Sequence, residues 1–192
     1  MTVNEYQYAV QDLIVNKLNL EATCEWNSKM NANIYAPRLD IAIGPFSILD
    51  GTSLQQEYDH IYDTHYPFIY QLVKIHLLNI QQISADSNND EVNARINEKI
   101  GHMKYFNFNS RCFIAVEIEN EVSRKHLMGG ALNASVLGRV AIASGFTAEK
   151  HRAFLNLYRY FEYLQNVEKP TFRTENLLII SAEQLLNVLI EL

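Results

Sequence analysis

The sequence predicts an α/β fold in which a central mixed β-sheet is flanked by helices. Three observations lead there. The second half of the chain alternates apolar strand-like runs with amphipathic helical stretches, a pattern that builds parallel strands joined by crossover helices. The first half carries β-branched and aromatic segments broken by Pro37 and by Gly44-Pro45, which read as antiparallel strands. A hydrophobic fraction of 48% with 20% charged residues over 192 positions suits one domain, residues 1–192, with a sizeable core.

Thr2 followed by Glu5 has the form of a capping box, and Tyr6, Val10, Leu13, Ile14 and Leu18 recur at helical spacing, so a helix opens the chain. "EATCEW" and "ANIYAPRLDIAIGPF" follow as two or three strands. In "RLDIAIG" the alternation predicts Leu39, Ile41 and Ile43 on one face, with Arg38, Asp40 and Ala42 on the other. From about residue 53 to 103 the texture is helical, interrupted at "SADSNND", and reads as a helical insertion. The strand "RCFIAVEIE" comes next. Ser123 is a candidate N-cap for a helix that runs to Gly138, and its Gly129, Gly130, Ala131, Ala134 and Ser135 would let it lie close on a sheet. "RVAIASG" is a buried strand by composition. Thr147 caps a long helix with Phe154, Leu157, Tyr158, Phe161 and Leu164 along one stripe. "NLLIIS" is the last strand, and Ser181 with Gln184 caps the closing helix.

A formal charge of −6 argues against a protein that holds nucleic acid through a broad basic surface, and leaves room for a local basic cleft. Cys24 and Cys112 are far apart and predict free thiols in a reducing compartment. No stretch reaches the roughly 18 apolar residues of a membrane span, and the first residues lack the pattern of a secretion signal. The expectation is a cytoplasmic protein without membrane contact.

Two strands put acids among apolar residues: Asp40 in "RLDIAIG", and Glu117 with Glu119 in "AVEIEN". Like charges on one strand face cost free energy through repulsion and desolvation unless something compensates them. Carboxylates from neighbouring strands can converge on a hard cation such as Mg²⁺, which takes few protein ligands and keeps several waters. The plainer reading is a half-exposed face with solvated acids, or ion pairs with Arg38, Arg124 and Lys125. Glu121 reads as a solvated strand end. The basic turn Arg124, Lys125 and His126 reads equally as a phosphate contact or as an ordinary solvated helix start. His60, His65 and His76, near Asp59 and Asp63, match no usual zinc spacing and read as surface or core histidines.

An Asp on one strand, an E-x-(K or E) tripeptide on a later strand, then a helix and another strand: this order, in "PRLDIAIG" and "FIAVEIENEVSRKHLMGG", resembles the PD-(D/E)XK nuclease superfamily with its restriction-endonuclease-like fold. The resemblance covers the order of elements to about residue 145. It implies a Mg²⁺-dependent nuclease, with Mn²⁺ able to substitute, that hydrolyses phosphodiester bonds as an endonuclease on DNA. Asp40 and Glu117 would be metal ligands, with the backbone carbonyl of Ile118 as a third. Glu119 stands where the family usually has a catalytic Lys, making this an E-x-E variant, and some type II restriction enzymes carry an acid there. Lys125, about one turn into the next helix, is the alternative source of the missing lysine. The pattern departs from the family in the two residues between Pro37 and Asp40 and in the roughly 75 residues between Asp40 and Glu117. A homodimer is a further implication, since double-strand cutters of the family often dimerise. The competing expectation is a catalytically degenerate protein on the same fold that serves as a nucleic-acid or protein binding module. A third is an unrelated α/β protein whose strand acids are structural.

Overall fold

In the computed structural model of the chain, the described residues are 1–28, 37–47, 54–84, 86–120, 124–169 and 174–192. Helix α1 (Val3–Leu13) starts at the expected cap. The Thr2 hydroxyl accepts from the Glu5 N–H, and the Glu5 carboxylate accepts the Thr2 N–H at 2.7 Å. A π-helical turn, Ile14–Leu18, extends it to Asn19, which adopts a left-handed φ of 52° and ends it.

Strands β1 (Ala22–Asn27) and β2 (Arg38–Ile43) precede helices α2 (Gln55–Thr64), α3 (Tyr66–Asn79) and α4 (Asn89–Lys104). Then come β3 (Cys112–Glu119), α5 (Arg124–Leu137), β4 (Gly138–Gly145), α6 (Ala148–Asn166), β5 (Leu177–Ile179) and α7 (Ala182–Glu191). Thr147 and Ser181 cap α6 and α7 as their sequences predict. Ser123 and Glu121 lie outside the described residues.

The five strands form one mixed sheet in the order β1-β2-β3-β4-β5. β1, β2 and β3 pair antiparallel; β3, β4 and β5 pair parallel, each crossover being a helix. Each face of the sheet has its own core. On one, Ile41, Ile43, Ile114, Val116, Val140 and Ile142 meet residues of α1, α2, α3, α4 and α7. On the other, Ala42, Ala115, Ala141 and Ala143 meet α5 and α6. Alanines on that second face, facing the small residues of α5, let helix and sheet come close. All eight residues of β4 are buried, as in a strand covered on both faces. Burying Phe154 and Phe161 of α6 against it contributes on the order of 2 kcal/mol each.

Two details depart from strict alternation. Leu39 packs with the second core rather than with Ile41 and Ile43. At the start of β3, Cys112 joins the second core and Phe113 the first, where its ring contacts Tyr58 and Tyr62 of α2. Aromatic contacts of this kind contribute about 0.5–1.5 kcal/mol each and outweigh the strand's period at its end.

His76 is a core histidine. It is fully buried, its ring lies edge-on to Tyr158, and its Nδ1 accepts the Ile179 N–H at 3.0 Å. Both cysteines are free thiols. Among the described residues no helix is long and apolar enough to cross a membrane.

Candidate active site

The site begins where two strands part. β2 stays paired with β1 as far as Arg38, yet its pairing with β3 ends at Ile41 opposite Val116. Carried one step further, that register sets Asp40 opposite Glu117, and opposed residues of an antiparallel pair share a face. Asp40 alternates with Ala42 and Glu117 with Ala115, the two alanines that meet α5. Asp40 bridges the gap: its Oδ2 accepts the Ile118 N–H at 2.6 Å, in place of a backbone acceptor from β2. In a strand, a residue's N–H and C=O point the same way, so the Ile118 carbonyl faces the same opening. The Glu119 carbonyl points the other way and accepts the Phe146 N–H at 3.0 Å.

Helix α5 closes over Glu117. A Cβ added to Gly130 would lie 3.5 Å from the Glu117 Cβ and 3.6 Å from its Oε2, so the helix backbone rests directly against the acid. Burial first, and then the Asp40 charge, push the Glu117 carboxyl up to about 9, with Glu119 adding to the shift and the Asn133 side chain opposing it. Its Oε1 is buried with no hydrogen-bond partner. Asp40 is also raised, chiefly by burial, with Glu25 and Glu119 contributing and with the Ile118 N–H and Arg38 pulling it down. Arg38 does not neutralise it directly, because its Nε is paired with Glu25 at 2.8 Å. Among the described residues no salt bridge reaches Asp40 or Glu117. Neither Arg38 nor Lys125 forms a salt bridge with Asp40 or Glu117.

A cavity of about 440 Å³ opens beside the two acids. Its lining includes Asp40, Glu117, Ile118, Glu119 and Lys125, the metal and catalytic candidates read from the sequence. His126 lines it too, on the first turns of α5. Sequence reasoning missed Asn133 and Phe154, which complete the wall, and Glu25 behind Asp40. Asn133 was findable: it stands at helical spacing from His126, Gly129 and Gly130, so it belongs to the same face of α5. Glu25 carried no such signal, because its influence depends on a left-handed φ of 53° in the middle of β1, opposite Asp40.

Two acids on adjoining strands, one with an unpartnered buried oxygen and a carboxyl raised first by burial and then by the other's charge, form a pair that a cation would relieve. The set is small: among the described residues, no three His, Cys, Asp or Glu side chains cluster so as to hold a metal ion. That suits Mg²⁺, which binds through one or two carboxylates and retains water, better than a zinc site with four protein ligands. No protein family matches this sequence, and no curated protein or solved structure matches the chain.

Proposed function

We propose that the chain is a divalent-metal-dependent phosphodiesterase, an endonuclease acting on DNA through the cavity between β2 and β3. The observation that carries this reading is the opposed pair Asp40 and Glu117, half-buried with no salt bridge from any described residue and flanked by Lys125. The element order supports the restriction-endonuclease-like resemblance: Asp40 on the second strand, Glu117-Ile118-Glu119 on the third, then a helix and a parallel fourth strand. Helices α2, α3 and α4 are then the helical insertion between the two motif strands, and they share a core with the rest of that face.

Asp40, Glu117 and the Ile118 carbonyl would hold Mg²⁺ or Mn²⁺, which supplies charge neutralisation at a phosphoryl oxygen and a more acidic bound water. The chain's own residues do the rest. Burial keeps both acids out of bulk water, so their charge acts at short range in a low dielectric. Asp40 is oriented by the Ile118 N–H, which fixes one of its oxygens. Lys125, exposed on the cavity rim, takes the place of the family's usual lysine and contacts the phosphate or the attacking water. Glu119 is then a third acid at the mouth. Hydrolysis at such a site is mostly positioning and charge neutralisation, which so few groups can supply.

The test is incubation with circular single-stranded DNA and with closed-circular duplex DNA, each with Mg²⁺, beside Asp40→Asn, a variant that keeps an acceptor for the Ile118 N–H. Nicking by the native protein and a loss of at least about 100-fold in the variant are expected. Equal nicking by both would discard the assignment. The second reading, a binding module on the same fold, is favoured by the acid at position 119. It predicts nucleic-acid binding with no cleavage under any divalent cation.

A further inference from the structure

Beyond the carboxylate cavity, α5 and α6 leave a groove of about 570 Å³ lined by Leu127, Met128, Ala153, Asn156, Leu157 and Tyr160. On α6 these residues fall at i, i+3, i+4 and i+7, a single helix face. A shallower hollow joins the two. It shares Lys125 and Gly129 with the carboxylate cavity and Met128 with the groove. The surface thus runs from two acids, past a lysine, onto an apolar floor.

Three exposed cations stand on the two helices of this path, Lys125 on α5 and Arg152 and Arg159 on α6, in a chain whose net charge is −6. Arg152 and Arg159 are exposed, and Arg159 Nη1 lies 3.5 Å from Oδ1 of the groove residue Asn156. At the rim, the Tyr160 ring is 47% exposed, and Tyr163, one turn on, is 59% exposed.

We infer that the groove holds unpaired bases of a single strand whose backbone continues into the Asp40–Glu117 cavity, so that the substrate is single-stranded nucleic acid. This rests on the phosphodiesterase reading and narrows its substrate. A nucleotide strand has the same two-sided chemistry as the path, anionic phosphates beside flat apolar bases. A duplex turns its bases inward and presents only phosphates and groove edges, for which a broad basic surface would be needed. Stacking on exposed tyrosines combined with a few cations is how strands are held without reading their sequence.

The experiment is fluorescence anisotropy in EDTA with a labelled oligonucleotide of about 16 nucleotides, single-stranded or duplex. Native protein and Tyr160→Ala are compared, with thermal melting to confirm that each is folded. Single strand binding at least about tenfold tighter than duplex is expected, weakened roughly 5- to 150-fold by Tyr160→Ala. Equal affinity for the two forms, or an unchanged Tyr160→Ala, overturns the inference. Nicking that still needs Asp40 would then leave the phosphodiesterase reading standing. Tyr160-dependent strand binding without cleavage supports the groove assignment and overturns the enzymatic reading. A dimer in sedimentation that Tyr160→Ala dissociates, with no strand binding, assigns the groove to a second copy and overturns the inference.

Discussion

Replacing Glu117 by Gln isolates the electrostatic tension at the centre of the site. In the folded protein the carboxyl holds its proton to about pH 9, whereas an unfolded chain releases it near the ordinary value of 4.5. Between these values the folded state binds more protons, so this group makes stability fall as pH rises. At pH 7 the unfolded carboxyl has been ionised across about 2.5 pH units, each equivalent to 1.36 kcal/mol, which gives a cost of up to about 3 kcal/mol. Gln has the shape of the protonated acid and cannot ionise in either state. Glu117→Gln is therefore expected to be more stable than the native protein by up to about 3 kcal/mol at pH 7, with the difference vanishing toward pH 4.5. For a chain of this length that is a rise in Tm of roughly 6–12 °C. Thermal melts of both proteins from pH 4.5 to 8.5 check it, and saturating Mg²⁺ should raise the native Tm while leaving the variant unmoved. A difference that is flat with pH would refute the reasoning, as would a variant less stable than native at pH 7.

Three further outcomes follow from named contacts. Lys125→Ala should cut nicking by about 100-fold or more without changing the melting temperature, because the side chain is exposed, while Glu119→Gln should stay within about tenfold of native. His76→Phe removes the acceptor of the buried Ile179 N–H and should cost about 1–3 kcal/mol in urea unfolding. The native imidazole is held well below 6.5 by burial and by Lys99, so His76 makes stability fall as pH drops below 6.5, a slope absent from the variant. Gly145→Ala should destabilise by about 1–3 kcal/mol or fail to fold, since its Cβ would sit 2.1 Å from the His151 backbone nitrogen where α6 leaves β4.

The parts of this fold legible in the sequence are those written in local chemistry. Thr2 with Glu5 and Ser181 with Gln184 mark helix starts through contacts three residues apart, and the apolar "RVAIASG" marks a strand covered on both faces. Asp40, Glu117, Glu119 and Lys125 were visible because acids in an apolar strand and a basic turn just after it stand out from their surroundings. What escaped depends on distant pairing. Leu39 joins the second core, which the alternation of "RLDIAIG" does not encode. Glu25 reaches Asp40 through a left-handed residue in the neighbouring strand, and Phe154 enters the cavity wall from a helix more than a hundred residues further along. The groove between α5 and α6 was half visible: the stripe on α6 was evident, and of it Phe154, Tyr158 and Phe161 turn inward to full burial.

The most direct test of the central claim is a crystal grown with Mn²⁺ and measured at the manganese absorption edge. The account predicts an anomalous peak between β2 and β3, with an oxygen of Asp40 and one of Glu117 at about 2.1–2.2 Å. Saturating Mn²⁺ with no peak there, and with Glu117 still protonated against Asp40, would contradict it.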